Sequence, residues 1–211
     1  MALILGIDEA GRGAVIGPLV VAGVLIEEEN RVLQELGVKD SKLLTPRRRR
    51  ELSEKIKETV LKYSYFELNP KQIDRVIFLG KKYRRLNYLE MCAMAKIIRD
   101  LKPDRVILDS PDVKPDRCVQ EIHKMLPFKM EIRSEHHADR IYPVVSAASI
   151  LAKVRRDTAI LDLEKAYCDL GSGYPSDPKT VAFLKRILEN GEELPSFVRS
   201  SWATVKRLRS T

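Results

Sequence analysis

Cysteine is scarce in this sequence, and its few occurrences form no recognisable pattern. The three residues, Cys92, Cys118 and Cys168, are odd in number, widely spaced and not paired with histidines at metal-ligand spacing. This argues against a disulfide framework and against a zinc site, and it favours a reducing compartment. We therefore expect the cysteines to be small apolar packing residues and the chain to be cytoplasmic.

Long apolar runs are also missing. A membrane-spanning helix needs roughly 18 or more apolar residues in succession, and the longest apolar stretch here, residues 14–26, is interrupted by glycine and proline. Met1 leads directly into a strand-like segment, without the basic region and small-residue cleavage site of a signal peptide. These absences predict a chain with no membrane partner.

Negative charge is in the minority. Lysine and arginine number 38 against 30 aspartate and glutamate residues, which gives a formal charge of +8. An excess of positive charge favours an anionic partner, nucleic acid first. Abundant lysine, arginine and glutamate are also typical of thermophile proteins, whose surface ion pairs contribute stability at high temperature. Charge alone leaves both interpretations open.

The hydrophobic periodicity begins with two strands and then alternates between helices and strands. The patterns predict strands at residues 2–8, 15–26, 62–68, 104–109 and 128–133, and helices at 45–61, 87–101, 115–125, 143–170, 178–189 and 197–208. Such an order predicts an α/β class with a mixed sheet. A turn at residues 189–195 sets off a small C-terminal helical element.

Two neighbouring acids, Asp8 and Glu9, stand between an apolar strand and the turn Gly11-Arg12-Gly13. Side chains alternate along a strand, so both acids face one way only if the strand ends or bends there. Glycine permits such a bend and lets a ligand approach the backbone closely. Taken alone, this pattern fits a capped turn equally well.

Two further acids occupy positions typical of sites. Asp109 ends a buried strand, where open α/β sheets place their ligands, although Asp109-Ser110-Pro111 also suits a plain turn. Asp139 precedes the long helix, where an ion pair with Arg140 is the simpler explanation. Together the four acids form an oxygen-rich set that suits Mg²⁺ or Mn²⁺ rather than zinc. Two such ions roughly 4 Å apart can activate a water and stabilise the leaving oxygen in phosphodiester cleavage.

Several motifs follow one another along essentially the whole chain. They lie at residues 6–13, 16–22, 39–44, 109, 136–139, 142–153 and 171–178. In this order they resemble the ribonuclease HII family, the type 2 ribonucleases H, and its archaeal branch in particular. The resemblance implies an RNase H-like fold, a five-stranded mixed sheet flanked by helices with a small C-terminal helical appendage. We accordingly divide the chain into a catalytic domain at 1–190 and a substrate-binding helical element at 191–211.

The resemblance also implies an activity. It implies an endoribonuclease that hydrolyses the RNA strand of RNA–DNA hybrids and cuts 5′ of single ribonucleotides embedded in duplex DNA, leaving 5′-phosphate and 3′-hydroxyl ends. It implies roles in DNA replication and in ribonucleotide excision repair. The family's catalytic and metal-ligating acids fall on Asp8, Glu9, Asp109 and Asp139, with Mg²⁺ or Mn²⁺ as the cofactor.

The family's substrate-binding motifs fall on named positions as well. Its glycine–basic–glycine motif falls on Gly11, Arg12 and Gly13, whose backbone is expected to contact the ribose 2′-hydroxyl, the group that distinguishes RNA from DNA. Its junction-sensing tyrosine falls on Tyr174, whose ring can stack on the sugar. Lys42, in a loop, is a candidate phosphate ligand.

The expected partners are the RNA–DNA hybrid and the ribonucleotide-containing duplex, with the enzyme as a monomer. Some archaeal relatives carry a C-terminal peptide that binds a sliding clamp, whereas this sequence ends at Ser210-Thr211 without an obvious aromatic motif of that kind. A clamp partner therefore has no support from the sequence.

Three stretches have open roles. His137 stands where the family often has lysine; it either gives a weaker attraction for phosphate or is a solvated loop residue. Residues 81–85 are more basic than the usual family pattern and either contact the substrate backbone or form a solvated face. Trp202 fits a core anchor, and the basic residues around it are candidates for gripping the DNA strand; they are Arg199, Lys206, Arg207 and Arg209.

Other functions fit parts of this pattern. Another nuclease of the RNase H-like and integrase superfamily, such as a junction resolvase, would cut all-DNA duplexes. A non-catalytic hybrid-binding protein would be favoured by loss of one of the four acids. A small-molecule phosphatase using the same ions is disfavoured by the basic stretches and by the Tyr174 loop.

Overall fold

A five-stranded mixed sheet forms the framework on which the predicted acids lie. The computed structural model describes residues 1–38, 44–79 and 86–210. The strands are β1 (Leu3–Ala10), β2 (Leu19–Glu27), β3 (Lys62–Leu68), β4 (Arg105–Asp109) and β5 (Glu131–Glu135), in the sheet order β3-β2-β1-β4-β5. β1 is antiparallel to β2 and parallel to β4, and β4 is parallel to β5. The α/β class and the five-stranded mixed sheet are thus confirmed.

Helices connect and flank these strands. In the described residues they are α1 (Val32–Glu35), α2 (Pro46–Thr59), α3 (Pro70–Leu79), α4 (Leu86–Leu101), α5 (Pro115–Met125), α6 (Ala138–Ile141), α7 (Pro143–Glu164), α8 (Pro178–Glu189) and α9 (Ala203–Arg209). In that part of the chain, no helix combines the length and the apolar character that crossing a membrane requires.

The chain divides into two compact units that are interleaved along the sequence. The first, here called the sheet unit, comprises residues 1–10, 20–66 and 87–154. The second, the helical unit, comprises residues 11–19, 67–86 and 155–211. The division predicted at residue 190 stays a prediction.

The core of the sheet unit is built by β2 and the first half of α7. Val20, Ala22 and Val24 of β2 are completely buried, as are Ala148 and Leu151 of α7. A glycine on β1 allows a close approach of this helix, because a Cβ at position 6 would lie 2.4 Å from the carbonyl carbon of residue 144. This packing fixes the N-terminal half of α7 next to the strand that carries the first two acids.

The helical unit has a separate apolar core. Its buried members come from the loop after β1, the end of α7, α8 and the C-terminal segment; they are Val15, Ile16, Ile160, Leu170, Phe183, Leu184, Ile187, Phe197, Val198 and Val205. Trp202 packs against this cluster, which confirms its predicted role as a core anchor.

Several predicted boundaries were wrong. The strand predicted at 15–26 begins at Leu19, because Gly17 has a φ of +85° and interrupts the extended backbone. The helix predicted at 143–170 ends at Glu164, and the residues up to Gly171 form turns. The strand predicted at 128–133 lies at 131–135, and the helix predicted at 197–208 begins at Ala203.

Three helices were not predicted: α1, α3 and α6. The start of α3 nevertheless has a local signal. The Asn69 side chain accepts a hydrogen bond from the Gln72 N–H at 2.9 Å, and the Gln72 side chain accepts one from the Asn69 N–H at 3.0 Å. This reciprocal pair is a capping box, and Pro70 at the first helical position agrees with it.

Candidate active site

The strand β1 carries Asp8, which is buried in the sheet unit, and Glu9, which is half-buried. It does not bend at the acids, because Asp8 pairs with Ala22 and Glu9 with Val21 of β2. The bend follows at Gly11, whose φ is +85°. Asp8 is 6% exposed, and its carboxylate accepts hydrogen bonds from the Glu9 N–H at 2.7 Å and from the Ser149 side chain on α7.

Asp109 comes to the same end of the sheet as Asp8. The parallel register pairs Ile7 with Leu108, so the two acids are the next residues along neighbouring strands. Ligand sites of open α/β sheets lie at this end of the strands. The sheet thus brings together two acids that are 101 residues apart in sequence.

The turn before α6 supports Asp109. His137 has a φ of +60°, a left-handed conformation that is uncommon for a residue with a side chain. Its N–H donates a hydrogen bond of 3.0 Å to the Asp109 carboxylate. The imidazole of His137 is exposed, and whether it attracts a phosphate stays a prediction. Asp139 lies two residues further on, buried in the first turn of α6.

The four acids influence one another electrostatically. Burial raises the pKa of Asp8 well above its ordinary value, and the negative charges of Glu9 and Asp109 raise it further. Burial also raises the pKa of Asp109, and so does the charge of Asp139, whereas the hydrogen bond from the His137 N–H opposes this rise. Burial and repulsion thus disfavour ionisation of Asp8 and Asp109, and a bound cation would relieve both effects.

The donor chemistry of the four acids suits Mg²⁺ or Mn²⁺, because both ions prefer carboxylate oxygens. The side chains form interacting pairs in a chain that runs from Glu9 through Asp8 and Asp109 to Asp139. Across residues 1–38, 44–79 and 86–210, no three acid, histidine or cysteine side chains converge tightly enough to form a ready-made metal-binding group.

The sequence did not predict two further polar residues of the sheet unit, Ser149 and Glu90. Ser149 donates to Asp8, and Glu90 is completely buried on α4. Burial raises the pKa of the Cys118 thiol to about 12. The negative charges of Glu9 and Glu90 also oppose ionisation of this thiol. An acid within the apolar stripe of a helix was the available signal for Glu90. The buried Cys118 agrees with its predicted role as a packing residue, whereas Cys168 is exposed, so the same prediction was wrong for that residue.

The turn that contains Gly11, Arg12 and Gly13 belongs to the helical unit, where Arg199 holds its backbone. The Arg199 guanidinium donates to the Arg12 carbonyl at 3.0 Å and to the Gly17 carbonyl at 3.0 and 3.2 Å. Arg199 is completely buried, so its predicted role as a DNA-gripping residue was wrong. The other basic candidates of this segment are exposed; they are Lys206, Arg207 and Arg209.

The loop that carries Tyr174 is also in the helical unit, and glycines and hydrogen bonds determine its backbone conformation. Gly171 and Gly173 both have positive φ values, +66° and +78°. The Asp177 carboxylate accepts from the Ser172 N–H at 2.6 Å, and the Gly173 N–H donates to the Thr180 hydroxyl at 3.0 Å. The loop therefore has a defined backbone conformation.

Direct contacts connect this loop with the segment that follows the glycine turn. The N–H groups of Val15 and Ile16 both donate to the Gly173 carbonyl, at 2.8 and 3.1 Å. Arg156 of α7, which the sequence did not predict as a site residue, lies under the Tyr174 ring at 4.5 Å from its centroid. The structure thus brings two of the predicted substrate-binding elements together within the helical unit. The predicted contacts of Lys42 and of residues 81–85 lie outside the described residues.

Comparison with known proteins agrees with this architecture. The family model for ribonuclease HII matches residues 5–205. The ribonuclease HII of Methanosarcina mazei is 46% identical, with 98% of this chain and 97% of that protein covered. The crystal structure of ribonuclease H2 from Pyrococcus horikoshii OT3 has a TM-score of 0.90 and 39% identity, covering 99% of this chain and 97% of that one. The ribonuclease HII of Archaeoglobus fulgidus, solved as a PCNA:RNase HII complex, has a TM-score of 0.88 and 44% identity, covering 98% and 96%. The chain therefore belongs to the ribonuclease HII family of ribonuclease H endonucleases.

Proposed function

We propose that this protein hydrolyses the RNA strand of RNA–DNA hybrids and cuts on the 5′ side of single ribonucleotides embedded in duplex DNA. The observation that carries the proposal is the placement of Asp8 and Asp109 at matching ends of neighbouring buried strands. Ionisation of both carboxylic acids is disfavoured, because both are desolvated and both have a further acid as neighbour.

The acids Asp8, Glu9, Asp109 and Asp139 would hold divalent ions, Mg²⁺ or Mn²⁺. When bound, such ions supply activation of the attacking water and stabilisation of the leaving oxygen. The protein's own contribution is to orient the ligands. Ser149 and the backbone of Glu9 hold the Asp8 carboxylate, in the way that neighbours of metal ligands generally fix their orientation.

The glycine turn is proposed to recognise the ribose. The Arg12 carbonyl and the Gly17 carbonyl are already bound by Arg199, which fixes the peptide planes of this segment before a substrate arrives. A preorganised backbone can select for the 2′-hydroxyl, which can both donate and accept a hydrogen bond. Tyr174 is proposed to stack on the sugar at the junction between RNA and DNA.

The proposed products carry a 5′-phosphate and a 3′-hydroxyl. A 3′-hydroxyl at a nick is the end from which a DNA strand can be extended. The reaction therefore suits the removal of primers during DNA replication and the excision of misincorporated ribonucleotides during repair, and we propose both roles.

A sliding clamp is a partner that we propose to test. The ribonuclease HII of Archaeoglobus fulgidus, 44% identical to this chain, was solved in complex with PCNA. Gel filtration of the protein alone and mixed with a purified clamp tests the proposal and also the expected monomer. Co-elution supports a clamp partner, and separate elution at micromolar concentrations opposes it.

Cleavage in the absence and presence of each metal tests the proposed chemistry. The substrate is a hybrid duplex with labelled RNA, and the arms contain chelator, Mg²⁺ or Mn²⁺. We expect cleavage only with a divalent ion and products that a 5′-phosphate-dependent exonuclease degrades. Cleavage that continues in chelator, or products with 3′-phosphates, would contradict the proposal.

A further inference from the structure

Arg156 is a charged residue buried in the helical unit at 1% exposure. A buried guanidinium costs free energy unless its surroundings compensate for the lost hydration. One N–H group donates to the Ser172 carbonyl at 2.6 Å, and another donates to the Asp157 carboxylate at 3.3 Å. The Tyr174 ring provides further compensation, because its centroid lies 4.5 Å from the guanidinium carbon.

The same side chain fits between two glycines. A Cβ at Gly11 would lie 3.2 Å from the Arg156 Cγ and 2.7 Å from the Pro18 carbonyl oxygen. A Cβ at Gly173 would lie 2.7 Å from an Arg156 terminal nitrogen. The turn that begins at Gly11 and the loop that carries Tyr174 therefore both pack on one arginine.

One polar atom of this buried side chain has no hydrogen bond to any described residue. The Nε of Arg156 is buried and has no hydrogen-bond partner within the described part of the chain. Buried polar atoms are nearly always hydrogen-bonded in native proteins, and exceptions call for an explanation. An apolar side chain of similar volume is often as stabilising at a buried position as a charged one. A role in stability alone does not explain a buried arginine with an unbonded nitrogen.

We propose that Arg156 is a positioning residue that holds the Tyr174 ring in a fixed orientation against the Gly11 turn, and so sets the preference of the enzyme for a ribonucleotide–DNA junction. The proposal rests on the proposed function, in which Tyr174 contacts the junction. Arg156 acts through Tyr174 and not on the substrate, because its side chain is buried beneath the ring and bonded to the loop carbonyl.

The test compares two substrates, a DNA duplex with one ribonucleotide and a long RNA–DNA hybrid. In the first substrate every cut lies at a ribonucleotide–DNA junction, whereas most cuts in the long hybrid lie within RNA. We expect Arg156→Met to lower the ratio of kcat/KM for the single ribonucleotide to kcat/KM for the hybrid by about tenfold, the scale of a desolvated cation–π contact. Arg156→Lys keeps the charge but not the planar group, so the expected loss in this ratio is smaller, about threefold.

The neighbouring arginine provides a matched control. Arg155 is on the same helix, and its side chain pairs with Glu67 at 2.6 Å and is 52% exposed. Arg155→Met therefore removes the same group from the adjacent, exposed position. We expect this variant to keep the wild-type ratio.

A double-mutant cycle with Tyr174→Ala separates positioning from general damage. If Arg156 acts through Tyr174, adding Arg156→Met to Tyr174→Ala produces no further loss in the ratio. Equal losses on both substrates, or losses that add in the double variant, overturn the inference. If circular dichroism shows that Arg156→Met does not fold, the same double-mutant cycle is carried out with Arg156→Lys. A wild-type enzyme that does not cut the single ribonucleotide overturns the proposed function itself. A wild-type enzyme that cuts it, with Arg156 variants that keep the wild-type ratio, overturns only the role of Arg156.

Discussion

Ile7 of β1 pairs with Leu108 of β4 in a parallel register, and this single pairing places Asp8 beside Asp109 at the end of two neighbouring strands. The side chains of Ile7 and Leu108 are both completely buried. Hydrophobic burial therefore fixes the position of the acids that follow them. A slip by one residue would move every side chain of the strand to the other face of the sheet. The register that the core imposes therefore also keeps Asp8 and Asp109 next to each other.

Replacing Asp109 by asparagine tests the role of this acid. The substitution keeps the shape of the side chain and its ability to accept from the His137 N–H, but it removes the charge. We expect a loss in kcat/KM of about a thousandfold or more, since loss of a metal ligand removes several kcal/mol of transition-state stabilisation. Asp116→Asn, at an exposed position in the first turn of α5, is the control and should be fully active. An active Asp109→Asn enzyme would refute the assignment.

The stability of the metal-free protein should depend on pH through Asp8. Burial raises the pKa of Asp8 above its ordinary value of 3.8, so the folded state binds this proton more tightly than the unfolded state does. The free energy of unfolding therefore falls as the pH rises from the ordinary value through the raised one. Asp8→Asn removes the contribution of Asp8 to this dependence, while the raised pKa of Asp109 leaves a part of it in place.

We expect Asp8→Asn to raise the unfolding midpoint of the metal-free protein at neutral pH by about 2–4 °C, the change that ~1 kcal/mol produces in a protein of this size. The gain should vanish in strongly acidic buffer, where the unfolded chain also binds the proton. Thermal unfolding in chelator at several pH values measures both effects. A lower midpoint at neutral pH would show that Asp8 stabilises the fold in its charged form.

Arg199 should be important for stability and not for direct DNA binding. Removing its guanidinium leaves the carbonyls of Arg12 and Gly17 without this donor in a buried place. We expect Arg199→Met to lower the free energy of unfolding by about 2–3 kcal/mol, the usual cost of losing a buried hydrogen-bonding partner. Urea denaturation measures this change, with Arg207→Met, at an exposed position, as the control. An unchanged urea midpoint for Arg199→Met would contradict the burial.

Binding to a hybrid duplex should weaken steeply with salt, because each phosphate contact by a basic residue releases counterions. We expect neutral substitutions of Lys206, Arg207 or Arg209 to reduce the slope of log affinity against log salt by about one each where the residue contacts a phosphate. Fluorescence anisotropy in an inactive Asp109→Asn background measures this slope. A flat salt response of the parent protein is the result that would exclude a broad contact with the backbone.

The sequence predicted those features that depend on local pattern. The apolar run before Asp8 and the one before Asp109 each predict a strand, and the parallel order of an α/β sheet then places both acids at one end. Similarly, the helix predicted at 178–189 is confirmed by α8, and the structure adds its cap, a hydrogen bond from the Lys179 N–H to the Asp177 side chain.

Features that depend on distant contacts could not be read in this way. Arg199 lies within a basic segment, and only the fold shows that its guanidinium reaches Gly17, which is 182 residues away. The role of Arg156 depends on a loop that packs over it, and a run of alternating apolar and basic residues on α7 does not reveal this contact. The left-handed backbone of His137 has a similar origin, since its N–H is directed to Asp109 at the end of β4.

The most direct test of the central claim is the position of the cut in a DNA duplex that carries one ribonucleotide, resolved to a single nucleotide and compared with the same duplex made of DNA alone. The account predicts one cut on the 5′ side of the ribonucleotide in the presence of Mg²⁺ or Mn²⁺ and none in the DNA duplex. Cleavage of both duplexes, or of neither while long hybrids are degraded, would contradict it.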